Sequence, residues 1–369
     1  MDRKPLSRKV LALALSAGLL SALPAAAGTT DSARNFGCRA SSGKAKPLNI
    51  KVDGETATGH YALPSGDPKG VVVFAHGYGH TSSSWIHHME RTARDLGVIA
   101  VGMDYRGTPI SPDTNGDGLP ESRGWHVLKG AEDSIAVASA FEASCASVEK
   151  VAILGVSMGG NASGLAVALA GNREVKKSDG SPLFDYWIDV EGAVNVIETY
   201  AGASVLAPVN AFAKNAKEDI EAEMGGTILT APAEYQRRAV VTRMADIKSA
   251  GLEGISVIHG LDDGLVPYNQ GREMATLSAV HGIPTRMLTI GTKDCESERE
   301  TTATGYVGSA IKPDYNSPLA GHASEKSTTH IVMKTAFAQL ADVLSPDTAF
   351  GPYFETFING DRTGCPTGN

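Results

Sequence analysis

One decapeptide constrains this chain more than any other stretch: Val151 to Gly160, which reads VAILGVSMGG. Its apolar, β-type first half predicts a strand buried in a sheet, and the small-residue stretch that begins at Asn161 predicts a helix. Between them, Gly155-Val156-Ser157-Met158-Gly159 must reverse the chain within a few residues. A serine at the apex of so tight a turn is held in a strained backbone conformation, and its hydroxyl is pushed into the open at the strand's C-terminal end. Its neighbours must then be tiny, and Gly155 and Gly159 meet that demand. The pattern points to an α/β sheet displaying Ser157 as a nucleophile, with an ordinary glycine-rich loop as the plainer alternative.

The rest of the chain supplies the sheet. Continuous apolar runs over Val71 to Ala75, Val98 to Met103, Val151 to Leu154, Tyr186 to Val190, Ile255 to Ile258 and Arg286 to Ile290 read as strands covered on both faces. Helical patterns over Ser82 to Leu96, Lys129 to Ala143, Gly164 to Ala170, Asn269 to Val280 and Ser327 to Leu344 separate most of them. Such alternation predicts a mostly parallel central sheet with helices on both faces. Leu48 to Val52 and Thr56 to Leu63, joined at Asp53-Gly54, predict an antiparallel hairpin ahead of it. The alternation lapses between Val190 and Ile255, where helical patterns over Val194 to Tyr200, Val209 to Glu223 and Glu234 to Lys248 follow one another. Asn195 to about Pro232 is expected to form a helical cap over the site, with plain connecting helices as the alternative.

At the N-terminus, Arg3, Lys4, Arg8 and Lys9 precede the apolar run Val10 to Leu23 and then Pro24-Ala25-Ala26-Ala27. Residues 1–27 are expected to be a secretory signal peptide cut after Ala27. The apolar run is shorter than the about 20 residues that span a bilayer, and no later stretch approaches that length, so no membrane anchor is expected. Residues 28–46 are small and polar and are expected to be loosely ordered. The main domain is expected over 47–345 and a C-terminal tail over 346–369. The formal charge of −8 becomes more negative once a basic leader is removed, which argues against nucleic acid or an anionic membrane as partner. In an oxidising compartment the four cysteines favour two disulfides. Cys295, in a late insertion, and Cys365, in the tail, form the favoured pair, which leaves Cys38 with Cys145.

A serine hydroxyl needs a base within hydrogen-bond reach, and the base needs an orienting carboxylate. His259-Gly260-Leu261-Asp262-Asp263-Gly264-Leu265-Val266-Pro267 directly follows a β-type run, so either Asp262 or Asp263 places an acid at a strand's C-terminal end. Of the ten histidines, His322 stands where a base is expected, in Ala320-Gly321-His322-Ala323-Ser324 after the last strand and an inserted loop over Gly291 to Leu319. His330 falls inside the final helical pattern and reads as structural, and His281 beside Gly282 reads as a helix C-cap. His87 and His88 are adjacent on an early helix and point to different faces, the wrong spacing for metal ligands. No metal site and no cofactor are expected. Acyl transfer also needs donors for the oxyanion. The backbone N–H of Met158 is one, and the N–H of Tyr78, in His76-Gly77-Tyr78-Gly79 after a strand, is the other. The Tyr78 ring and Trp85 are expected to flank the substrate pocket. Asp113 to Gly118 has the acidic spacing of a calcium loop, but Gly124 stands where the twelfth-position glutamate belongs, so a solvated turn is favoured. Asn161-Ala162-Ser163 matches a glycosylation acceptor at a position expected to be buried.

Taken together, strand-HGYG-helix, GVSMGG, HGLDDGLVP and AGHAS over Val71 to Leu344 resemble the α/β-hydrolase family. The Ser-Asp-His order and the Tyr235 to Lys248 stretch are most similar to its dienelactone-hydrolase and prolyl-oligopeptidase-like branch. The resemblance implies the α/β-hydrolase fold and selects Asp263 as the acid, with Asp262 a turn residue. It also implies that Asp104-Tyr105-Arg106-Gly107 holds loops around the site. The implied activity is that of a secreted serine hydrolase acting on a small-molecule or polymeric ester, with Ser157 as nucleophile, His322 as base and Asp263 orienting the imidazole. The alternatives are a peptidase of the prolyl-oligopeptidase-like type, for which no propeller domain precedes the hydrolase, and an inactive binding protein on the same fold.

Overall fold

Alternating burial opens the fold. In the computed structural model, which describes residues 36–113, 116, 118–261, 263–291, 321–328 and 330–358, β1 (Lys46–Val52) and β2 (Glu55–Ala62) pair antiparallel around Asp53-Gly54. Leu48, Ile50, Val52 and Ala57 face inward while their neighbours are exposed, the period-two pattern of a half-covered ribbon. The strand β2 lies antiparallel to β4 (Ile99–Met103). Every later neighbour in this sheet is parallel, through β3 (Gly70–Ala75), β7 (Lys150–Val156), β8 (Tyr186–Val190), β9 (Gly254–Gly260), β10 (Thr285–Ile290) and β11 (Tyr353–Ile358). The nine strands run in the order β1-β2-β4-β3-β7-β8-β9-β10-β11, and β5 (Ile110–Ser111) and β6 (Glu121–Ser122) form a separate two-stranded ribbon. All residues of β3, β4, β8 and β9 are buried, as expected of strands covered on both faces.

Two apolar layers provide that cover. On one face, α2 (Val127–Ser144), α3 (Met158–Asn172), α7 (Met244–Ser249) and α8 (Tyr268–Val280) pack on the sheet. On the other lie α1 (Ile86–Leu96) and α9 (Ile331–Val343). The resulting α/β-hydrolase fold brings the C-terminal ends of β3, β7, β8 and β9 to one edge, where ligand sites of parallel sheets form. Between β8 and α7 the chain forms three further helices: α4 (Val196–Leu206), α5 (Ala211–Met224) and α6 (Pro232–Arg238). Asn195 and Asn210 cap the first two by accepting N–H bonds from Glu198 and Ala213, and Gly225 ends α5 at φ 73°.

The structure departs from the sequence reading in four places. Glu234 to Lys248 is not one helix: Ala239 adopts an extended conformation (φ −78°, ψ 110°), and a 3₁₀ turn over Val240–Thr242 separates α6 from α7. The C-terminal tail contributes a strand absent from the sequence reading, β11, whose partner is β10. At the other end, residues 36–45 are not loose, since the Phe36 ring packs on Tyr61 and Phe141 (centroids 5.4 and 5.8 Å apart). His330 stands ahead of the last helix rather than inside it, and its Nδ1 accepts the Val332 N–H at 3.2 Å. Cys38 and Cys145 form a disulfide. Cys295, Cys365 and the leader segment lie outside the described residues, among which no helix is long and apolar enough to cross a membrane.

Candidate active site

The turn after β7 has the geometry its sequence demands. Ser157 sits at φ 58°, ψ −125°, half-buried. Its N–H donates to Val190 O (3.0 Å), and its carbonyl accepts from Gly160 and Ala193 (both 2.9 Å). A side chain at Gly155 would drive into the Gly159 carbonyl, and one at Gly159 into the Ala75 carbonyl, so neither position has room for a Cβ. Met158 is the first residue of α3, where backbone N–H groups lack intrahelical partners and favour negative charge.

Asp263 follows β9, and its carboxylate is fully employed. Oδ1 accepts the N–H groups of Leu265 and Val266 (both 2.9 Å), and Oδ2 accepts Nδ1 of His322 at 2.6 Å. His259, whose Nε2 donates to Val266 O (2.8 Å), stands 3.5 Å from the same Oδ2. Burial alone would raise the Asp263 carboxyl, but the charge of His322 and the hydrogen bonds from His259 and His322 hold it well below the ordinary carboxylate range. Burial would likewise lower His322, yet Asp263 and then Glu191 raise it above its ordinary value. The expected acid and base are thus in contact, while Asp262 lies outside the described residues.

Two buried carboxylates at this edge escaped the sequence reading. Glu191 directly follows β8 at φ 46°. Its Oε2 accepts the Ala323 N–H (2.6 Å) and lies 3.6 Å from His322 Nδ1, while Oε1 accepts the Gly260 N–H (3.1 Å). Burial, reinforced by Asp263, pushes this carboxyl up to about 7. Val190 before it and Ala193 two residues after it bond the Ser157 backbone, so Glu191 joins the serine turn to the histidine loop. The signal that marked Asp263, an acid just past a buried strand, was present here too. Glu325, three residues after His322, accepts the Gly77 N–H (2.6 Å) and faces His80 Nδ1 (3.0 Å). Ligand atoms of Glu191, Asp263 and His322 lie within 4.8 Å of one another, a spacing a cation could use, but their oxygens already accept hydrogen bonds, so the group reads as a hydrogen-bonded network.

The His76–Gly79 loop after β3 lies beside the serine: a methyl on Gly77 would stand 3.5 Å from Ser157 Cβ. The Tyr78 ring packs on Trp125 (5.9 Å) and edge-on against Phe212 (5.4 Å) of α5. Its hydroxyl donates to Asp219, also on α5, which accepts Arg123 (3.0 and 3.2 Å) and the Gly124 N–H (3.0 Å) as well. Burial, then Asp219, raises the phenol far above its usual range. Trp85, expected beside Tyr78, stands elsewhere. The 3₁₀ turn Ser82–Trp85 directs it onto Phe74 (4.9 Å) and His88 (5.8 Å), fully buried in the layer under α1 and α9.

Other sequence candidates have structural surroundings. His88 Nε2 pairs with Ser327 O (2.9 Å), and His281 Nδ1 with Leu277 O (2.8 Å) at the end of α8. Asp104 accepts the Ser82 N–H (2.9 Å) and the Thr58 hydroxyl (2.8 Å), and Tyr105 donates to His76 O (3.0 Å). Asp113 accepts the N–H groups of Gly116 and Gly118 (2.7 and 2.8 Å), the pattern of a turn. Asn161 is buried and donates to Arg238 O (2.8 Å).

Comparison with known proteins comes to the same fold. Residues 72–343 match the family described as the alpha/beta hydrolase family. Similar solved structures include a Pyrococcus horikoshii acylaminoacyl peptidase (16% identity, TM-score 0.47, covering 67% of this chain and 37% of that one). A puromycin-hydrolyzing peptidase of Mycobacterium tuberculosis is similar too (18%, 0.44, 66% and 35%), as is a hyperthermophilic esterase of Pyrobaculum calidifontis (17%, 0.42, 67% and 75%). The chain spans little more than a third of the length of the two peptidases. No curated protein matches it.

Proposed function

This chain belongs to the alpha/beta hydrolase family, and on that premise we propose that it is a secreted serine hydrolase that cleaves carboxylic esters through an acyl-enzyme. One observation carries the reading: the buried Asp263–His322 hydrogen bond, joined through Glu191 to the strained turn that presents Ser157. With Nδ1 of His322 engaged by Asp263, Nε2 is the nitrogen that takes the Ser157 proton as Oγ attacks the ester carbonyl. The oxyanion that forms is met by the N–H groups of Met158 and Tyr78; losing one such donor typically costs about 3 kcal/mol of barrier. His322 then returns the proton to the departing alkoxide, and water hydrolyses the acyl-enzyme by the same route. The aromatic wall of Tyr78, Trp125 and Phe212 supports an apolar acyl or alcohol group. Export agrees with the basic-apolar leader sequence and with the Cys38–Cys145 disulfide, a bond that persists in oxidising compartments.

A fluorophosphonate probe should label the purified protein at Ser157, and labelling should disappear in Ser157→Ala and His322→Ala. A folded protein that resists the probe would leave only a binding role. p-Nitrophenyl acetate set against alanine and proline p-nitroanilides separates esterase from peptidase, and faster turnover of the anilides would overturn the ester assignment.

A further inference from the structure

Glu325 is fully buried, and the proposed triad does not use it. Its carboxylate reaches from the loop that carries His322 to the loop that carries Tyr78: Oε2 accepts the Gly77 N–H at 2.6 Å, and Oε1 faces His80 Nδ1 at 3.0 Å. One side chain thus holds the second loop by a hydrogen bond at Gly77 and stands against it again at His80, on either side of Tyr78. A methyl added to Gly77 would stand 3.0 Å from Glu325 Oε2, 3.5 Å from Ser157 Cβ and 3.7 Å from the Val156 carbonyl, so that residue is a thin spacer between the carboxylate and the serine turn. Burial would raise the Glu325 carboxyl, but His80, then His76 and the Gly77 N–H, hold it below the ordinary range.

We infer that Glu325 is a positioning residue that sets the oxyanion hole by fixing the His76–Gly79 loop against the histidine loop. The inference rests on the serine-hydrolase reading. Because Gly77 commits its N–H to Glu325, this loop can offer an oxyanion the N–H of Tyr78 but not that of Gly77. The same anchor fixes where the Tyr78 amide stands relative to Ser157, and a displacement of about 1 Å at a reacting centre costs on the order of 100-fold in rate. An anion this near a developing oxyanion would by itself oppose the reaction, so the benefit of Glu325 lies in the reach of its side chain to the Gly77 N–H and not in its charge.

Three variants separate reach from charge. Glu325→Gln keeps the length and one acceptor oxygen, Glu325→Asp keeps the charge but withdraws it by one methylene, and Glu325→Ala removes both. With p-nitrophenyl acetate, kcat is expected to fall about 10- to 100-fold in Glu325→Ala and about 10-fold in Glu325→Asp, with KM within about twofold, while Glu325→Gln stays within about threefold of the parent. Affinity for a trifluoromethyl ketone, whose adduct carries an oxyanion, should fall in step with kcat. If Glu325→Ala does not fold, the order of Gln over Asp carries the test. The inference is overturned if Asp outperforms Gln, if the losses fall on KM, or if inhibitor affinity does not follow kcat. An unmutated protein inert to ester and probe removes the serine-hydrolase reading and this one with it; an active protein in which all three variants are unimpaired removes this one alone.

Discussion

Two carboxylates compete for one imidazole at the end of β9, and their roles differ in what else they hold. Asp263 accepts two backbone N–H groups on one oxygen and His322 on the other, so its charge is stabilised on both sides. Glu191 lies 1 Å farther from Nδ1, and burial keeps its carboxyl up at about 7. On the proposed mechanism the base works as a neutral imidazole, so activity rises with pH as His322 loses its proton. Since Asp263 and then Glu191 hold His322 above its ordinary 6.5, the acidic limb of kcat/KM should lie above that pH. Removing a negative neighbour lowers the proton affinity of the ring. Glu191→Gln should therefore move the limb to lower pH, measured on p-nitrophenyl acetate between pH 5 and 9, and a limb that moves upward would contradict the assigned electrostatics. Asp263→Asn should lose on the order of 10⁴ in kcat, because an amide holds the wrong tautomer. The places of Ser157 and Asp263 were legible because each comes just past a buried strand that the apolar pattern marks, and that of His322 because it precedes the last helical pattern. Glu191 shares with Asp263 the place just past a buried strand but lacks a flanking motif, Glu325 has neither, and both are held by segments distant in sequence, Ala323 for the first and Gly77 for the second.

At the scale of elements, one acid of α5 ties the helices that follow β8 to the loop that carries Tyr78. Asp219 of α5 accepts from the Tyr78 hydroxyl, from two nitrogens of Arg123 and from the Gly124 N–H, while Glu223, one turn on, pairs with Arg238 at 2.9 Å. Asp219→Ala strands a part-buried phenol and loosens a guanidinium, a change worth about 1–3 kcal/mol when a buried donor is left unsatisfied. Amide exchange in α4 and α5 should quicken accordingly, with the strands β3, β7 and β8 unchanged. Uniform exchange across the chain after the substitution would mean that the acid supports the whole fold and not these helices. The broken helix between Glu234 and Lys248 and the added strand β11 were illegible for a shared reason. Both depend on tertiary partners: Val240 and Val241 donate to the Val194 carbonyl, and β11 aligns on β10. Local periodicity carries no record of such partners.

For the whole molecule, the Cys38–Cys145 bond ties the segment ahead of β1 to the end of α2 across 107 residues of sequence. In the chain-entropy account, closing a loop of about 100 residues stabilises a native state by about 4–5 kcal/mol, with measured losses on removal of about 2–5 kcal/mol. That region lies at the sheet edge opposite the proposed site, because α2 leads into the N-terminal end of β7 and Ser157 follows its C-terminal end. Stability and chemistry should therefore separate. The double variant Cys38→Ser with Cys145→Ser should unfold at a clearly lower urea concentration, while the protein that remains folded keeps its kcat on p-nitrophenyl acetate within about twofold. The packing of Phe36 on Tyr61 and Phe141 would hold part of the N-terminal segment in place without the bond, so near-native proteolytic resistance of β1 is expected in dilute urea. A fall in kcat that parallels the loss of stability would show that the two sheet edges are coupled, and would make the disulfide part of how the site is kept in register.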